Sequence, residues 1–231
     1  MILFIQVINY MNIGVYIFII IYLAILISYF FSETSGNLKR RSVNKIILAS
    51  MFLTFGVVQY FLNYNFFSYH LVLLLAIIFA YIGDVVLLYS FIKGGLSFIL
   101  SNILFFIYEL IIIKVYNVSF SSIFYFIPVL VIMWGGFVYF ALKRFMNFKN
   151  KTFPILIYVF TVTLQGTLGL VLAICFFNIK MMLFGIGLTL FMISDYFLMV
   201  HKFKYHKNWI LRCNSGFYFI GLLMVVLSLM C

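Results

Sequence analysis

Residues 80–90 read AYIGDVVLLYS, and residues 190–200 read LFMISDYFLMV. Each is an apolar run broken by one carboxylate, Asp84 in the first and Asp195 in the second. The runs around them belong to a chain of 231 residues that is 67% hydrophobic and only 8% charged. A soluble domain carries about 25% charged residues, so this list cannot make a water-facing surface. Apolar stretches of about 20 residues follow one another along the chain, the length a helix needs to cross a ~30 Å hydrocarbon layer. In lipid every backbone N–H and C=O must be paired within its own segment, which selects helices. The expected fold is all-α: a polytopic transmembrane bundle forming one integral membrane domain over residues 1–231.

Eight spans are read at 13–31, 43–62, 70–91, 95–113, 121–142, 153–177, 181–200 and 209–230, separated by polar, turn-forming clusters such as SETSGNLKRR and HKFKYHKN. The first run lacks the basic start and small-residue cleavage site of a signal peptide, so it is expected to be a retained helix. Pro154 is expected in the first turn of the sixth helix, where a missing N–H costs little. Pro128 is expected inside the fifth, with a kink.

The net charge of +11 has a topological explanation that excludes a nucleic-acid role. With eight alternating spans, thirteen of the fifteen basic residues fall on one face, and only Lys114 and Lys180 on the other. Basic loops remain cytoplasmic. The expectation is an integral, multi-pass protein of a bacterial cell membrane with both termini outside. The cysteines at 175, 213 and 231 have no metal-ligand spacing, and neither a metal nor a cofactor is expected.

Both aspartates sit on helices expected to run toward the basic face, each ~10–14 Å short of it at 1.5 Å per residue. Asn102 and Asn214 follow them by 18 and 19 positions on the returning helices. Small residues, Gly83 and Ser194, precede the two acids, which points to two parallel four-helix repeats. A charged Asp at a helix centre costs about 2.5–3.5 kcal/mol on insertion scales, and such residues normally face the bundle interior and mark a functional path. A structural role for one isolated acid, as packing glue bonded to a neighbouring Tyr, Ser or Asn, is an even competitor. Two acids at matched depth favour function.

The remaining polar residues are weighed in the same way. Gln165 falls mid-span and can line a cavity or bond a neighbour. Arg212 can snorkel to the headgroups or hold the phosphate of a lipid substrate. Glu109, five residues from Lys114, is expected at the membrane interface, and His201 and His206 in a solvated loop. The glycines at 166, 169, 185 and 187 are read as close helix contacts, and the tyrosines as interfacial.

The segment Gly83-Asp84-Val85-Val86-Leu87-Leu88, the stretch from Phe91 through Gly95-Leu96 to Phe98, and Ser194-Asp195-Tyr196-Phe197-Leu198 together resemble the YhhN-type family of eight-helix membrane proteins. Its characterised members are lysoplasmalogenases. The resemblance implies hydrolysis of the vinyl ether bond of a lysophospholipid, giving a fatty aldehyde and a glycerophospho-headgroup, with Asp84 and Asp195 as the acids. It also implies a lysophospholipid or other amphipathic lipid as substrate, within a lipid bilayer. Two positions depart from the family pattern: Asn102 stands where a His is usual, and Gly221 where a Gln is usual. Vinyl ether hydrolysis needs one protonated acid and one anion, the division of labour glycosidases use around a similar cation. Asn102, Asn214, Gln165 and Arg212 are the expected substrate-binding or orienting groups. The competing expectations are a transporter or proton pathway and a non-catalytic structural or regulatory member of the same fold.

Overall fold

The computed structural model describes residues 13–35, 37–118, 124–143 and 152–230. The readings made for the N-terminal dozen residues, for Arg144, Lys149 and Lys151, and for Cys231 lie outside the described residues. The described chain is helical: α1 (Ile13–Thr34), α2 (Leu38–Asn63), α3 (His70–Leu87), α4 (Phe91–Val115), α5 (Phe126–Lys143), α6 (Thr152–Phe176), α7 (Ile179–Phe203) and α8 (Asn208–Leu227), closed by a 3-10 turn at Ser228–Met230. Seven of the eight are long and apolar enough to span a membrane, and the apolar part of α5, Phe126–Ala141, is shorter. The protein is a multi-pass helical membrane protein.

Local chemistry sets the helix starts. Asn37, Ser90 and Asn178 cap α2, α4 and α7, their side chains accepting from Arg40, Lys93 and Met181 backbone N–H groups. Such caps satisfy N–H groups that the first turn leaves without partners. Because α5 begins at Phe126, Pro128 lies in its first turn and not in its interior. The expected kink therefore has no cause there, since a first-turn proline removes no intrahelical bond.

The helices approach closely where side chains are small. Ser97 and Ser101, one turn apart on α4, donate to the Phe79 and Ala76 carbonyls of α3 at 2.8 Å each. A Cβ at Gly94 would stand 2.9 Å from the Leu87 backbone. On the other side of the molecule a Cβ at Gly185 would overlap the Gly169 carbonyl, and one at Gly166 would press on Met192. The glycines at 166, 169, 185 and 187 are helix contacts, as their spacing indicated. Gly187 and Gly221 face each other reciprocally, each Cβ position 2.6–2.7 Å from the other's carbonyl oxygen. The α7–α8 hairpin could not close as it does with a glutamine at 221. Finally, Tyr22 of α1 donates to the Phe219 carbonyl of α8 at 2.9 Å, tying the first helix to the last.

Candidate active site

Asp84 comes from the last turn of α3 and Asp195 from the second half of α7, and both are almost wholly buried, 2% and 3% exposed. They line one chamber of about 460 Å³, counted to its open mouth, together with Tyr29, Glu33, Arg41, Lys45, Asn214 and Tyr218. The chain has only four acidic residues, and three of them meet in this space. Gly83 explains part of the local design. A Cβ there would lie 2.9 Å from the Phe98 ring, so glycine lets that ring pack beside Asp84 and wall the chamber.

The two acids are held by different partners. Lys45 Nζ, on α2, lies 3.0 Å from Asp84 Oδ1, and the Tyr218 hydroxyl on α8 donates to Asp84 Oδ2 at 2.6 Å. Asp195 Oδ2 accepts from the Tyr158 hydroxyl on α6 at 2.6 Å. Each acid thus receives a side chain from the helix immediately before its own. Lys45 precedes Asp84 by 39 positions and Tyr158 precedes Asp195 by 37. The halves match in layout and differ in charge: an ammonium meets the first acid and a neutral phenol the second.

Asn214 lines the chamber and donates to the Ser194 carbonyl at 2.9 Å, bracing α8 against the turn that carries Asp195. Ser215 donates to Glu33 Oε1 at 2.6 Å, so α8 also grips the end of α1. Tyr29 stands within hydrogen-bonding reach of both Glu33 and Arg41. Among the described residues no three His, Cys, Asp or Glu side chains are grouped as metal ligands.

An open apolar groove, about 590 Å³ counted out to its mouth, adjoins the chamber, formed by α4, α6 and α7 with Leu87 of α3 and reaching Ile92, Leu96 and Ile99. Leu87, Phe98 and Leu198 line both spaces. Tyr158, the partner of Asp195, also lines the groove, so this acid stands at the junction of polar chamber and apolar slot.

Asn102 and Gln165 lie elsewhere. Both are fully buried, Asn102 in the α4–α6 seam, and neither lines the chamber. Asn102 makes a long contact, 3.5 Å, to the Thr161 hydroxyl, and Gln165 has no partner for either amide atom. Arg212 is exposed on α8 and is not among the chamber residues. Glu109 departs from its expected interfacial place. It is 0% exposed, with neither oxygen hydrogen-bonded, and it packs 3.0 Å from where a Cβ would stand at Gly169. The glycine at 169 makes room for the carboxyl, so Glu109 turns inward toward α6 instead of outward toward the headgroups.

Several chamber residues escape sequence reasoning. Lys45 looks like one more positive charge near a span end, and Tyr158 and Tyr218 look like interfacial aromatics. The expected span begins at 43, which leaves Lys45 at its edge; only because the helix starts at Leu38 does Lys45 lie well inside α2, where a charged side chain is costly. No curated protein and no solved structure matches the chain significantly. The YhhN family model matches residues 41–229, which includes both aspartates, Lys45, Tyr158 and Tyr218. The chain belongs to the YhhN family.

Proposed function

We propose that this protein hydrolyses the vinyl ether bond of a lysophospholipid, with Asp195 as the proton donor and Asp84 as the carboxylate that faces the developing cation. The observation that carries the reading is the single chamber shared by both acids and continuous in its lining with an apolar groove. An amphiphile with one chain fits that arrangement: the chain lies in the groove and the enol ether stands beside Tyr158 and Asp195. Family membership agrees with it, through the lysoplasmalogenases that the motifs around Asp84 and Asp195 resemble.

The assignment of roles follows from the partners. Each acid accepts one phenol hydrogen bond, so the distinction rests on the Lys45 ammonium, which pairs with Asp84 and favours its carboxylate. Asp195, whose side-chain partner is the Tyr158 phenol, is assigned the proton. In the first step that proton moves to the β-carbon of the vinyl ether, and the ether oxygen shares its electrons to form an oxocarbenium ion. The Asp84 carboxylate stabilises this cation across a low-dielectric chamber, where fixed charges act strongly. Water adds to the cationic carbon and gives its proton to Asp195, restoring the acid. The resulting hemiacetal collapses, its hydroxyl proton passing to the departing glycerol oxygen. One water is consumed, and aldehyde and alcohol are released.

The test is a lipid panel with purified protein. Expected is aldehyde release from an alkenyl lysophospholipid, with no product from the matched saturated ether, whose oxygen has no adjacent double bond to protonate. Fatty acid release from the ester analogue, with no aldehyde from the alkenyl lipid, would overturn the reading.

A further inference from the structure

Asp84 draws one partner from α2 and one from α8, Lys45 and Tyr218. The first helix touches both of these. Toward α2, the amide of Asn44, the residue before Lys45, donates to the Ser28 hydroxyl at 3.2 Å and the Ser32 hydroxyl at 3.3 Å. Toward α8, Tyr22 donates to the Phe219 carbonyl at 2.9 Å, and the Tyr29 ring stands edge-on to the Phe219 ring at 5.6 Å. Ser215 closes the set by donating to Glu33 Oε1 at 2.6 Å. Tyr22, Leu26, Tyr29 and Glu33 recur at helical spacing and form one buried stripe, whereas Ile13, Ile20, Ile27 and Phe31 are exposed.

Glu33 is the costly member of that stripe. It sits in the last turn of α1, where the helix end already carries negative partial charge, and it is only 8% exposed. Its bonding partner is well placed to repay this. Ser215 precedes Tyr218 by three positions, so the two are neighbours on one face of α8. Holding Ser215 therefore fixes the turn of α8 from which Tyr218 reaches Asp84. Asp195 depends on other helices: its phenol comes from α6, and α7 is seated on α8 by the Gly187–Gly221 contact. The family match begins at residue 41, so membership assigns Glu33 no role.

Resting on the reading of Asp84 as the carboxylate that faces the cation, we propose that Glu33 is a positioning residue. Through Ser215 it sets the rotation and height of α8 so that Tyr218 meets Asp84. Together with the Asn44 contacts it makes α1 a brace across the two helices that supply the partners of Asp84. The effect reaches Asp84 and not Asp195. The feature required at position 33 is an acceptor for Ser215. A carboxylate is the stronger acceptor, and glutamine still offers a carbonyl oxygen, with the Tyr29 hydroxyl near enough to take its amide N–H.

The test uses full-length protein in nanodiscs, labelled with carboxyl-13C aspartate. Asp84 and Asp195 are the only aspartates in the chain, so carbon NMR reads each separately once Asp84→Asn and Asp195→Asn assign the signals. Expected is that Tyr218→Phe shifts the Asp84 resonance, and that Glu33→Leu and Ser215→Ala shift it in the same direction with Asp195 unmoved. Glu33→Gln should return it toward wild type. With alkenyl lysophospholipid, Glu33→Leu and Ser215→Ala should each lower kcat about tenfold, the scale of one hydrogen bond to a charged group, with KM changed less than about twofold. Glu33→Gln should recover most of that loss. Glu33→Leu/Tyr218→Phe should be no slower than Tyr218→Phe alone, because nothing is left to position. Should Glu33→Leu fail to fold, Ser215→Ala removes the same bond by deleting a single hydroxyl and carries the same expectations. An unmoved Asp84 resonance, or equal shifts of both aspartates, would overturn the proposal and leave α1 as packing. Glu33→Gln as slow as Glu33→Leu, or losses that multiply in the double variant, would overturn it too, since Glu33 would then act by its charge or apart from Tyr218. The resonances need no turnover. A protein that shows the expected shifts and releases no aldehyde refutes the catalytic reading and leaves the brace standing, and aldehyde release with an unmoved Asp84 resonance does the reverse.

Discussion

The ammonium of Lys45 lies 3.0 Å from Asp84 Oδ1, deep enough that the lysine is only 12% exposed. The corresponding place beside Asp195 is filled by the hydroxyl of Tyr158. In the proposed reaction that one difference assigns the two acids their separate roles, and Lys45 is the residue on which the assignment rests.

Lys45→Met should leave Asp84 buried without its counter-charge. Breaking a buried pair from one side typically costs about 3–5 kcal/mol, so the thermal midpoint in detergent should fall. The aldehyde rate should drop at least about 100-fold, the scale of losing one fixed charge in a dry site. The double variant Lys45→Met/Asp84→Asn should recover stability and not activity. Recovery of both would show that the pair serves packing only.

Tyr158→Phe and Tyr218→Phe each delete one hydrogen bond to an acid and little volume. A bond to a charged group contributes about 1.5–3 kcal/mol, so each variant should lose roughly ten- to hundredfold in kcat with the helices intact by circular dichroism. Unchanged kcat in both would mean that the phenols do not tune the acids.

Gly221→Gln should be harmful in this chain. The side chain would drive into the Gly187 carbonyl, and overpacking of this kind costs about 1–3 kcal/mol or more. The expected result is a lower thermal midpoint. A midpoint equal to wild type would show that α7 and α8 separate easily.

Glu109→Met should act in the opposite direction. Both carboxyl oxygens are buried and unpaired, and leaving a buried polar group unsatisfied costs roughly 1–3 kcal/mol. An apolar side chain of similar length should raise the thermal midpoint and leave the aldehyde rate within twofold. A large loss of activity would instead give the α4–α6 seam a role in the chemistry.

Much of the fold was legible because lipid imposes a one-dimensional rule: each span must be apolar and about 20 residues long. The expected start at 70 and that at 13 coincide with α3 and α1, and the rest lie within four residues except α2, where Leu38 precedes the expected start by five, and α5, where Phe126 follows it by five. Asp84 and Asp195 stood out because an isolated carboxylate in such a run is costly. Their partners did not, for a physical reason. Tyrosine is common at membrane interfaces, and lysine common at span ends, so neither residue type signals burial by itself. Lys45 is distinguished only by which way its helix face turns, and that depends on packing among α1, α2 and α8. Asn102 shows the converse. Its position along the chain suggested the same depth as Asn214, yet the rotation of α4 turns it into the seam with α6, beside Thr161, and away from the chamber. Depth could be counted along the chain, whereas facing direction could not.

The most direct measurement is aldehyde release from alkenyl lysophospholipid by wild type, Asp84→Asn and Asp195→Asn, each purified and shown to be folded. Two acids working on one bond should give a wild-type rate that either substitution cuts by at least about 1000-fold, the scale expected when a proton donor or a fixed anion is lost. Turnover that persists in both variants would contradict the account, because the bond would then be broken without either of the carboxylates that meet in the chamber.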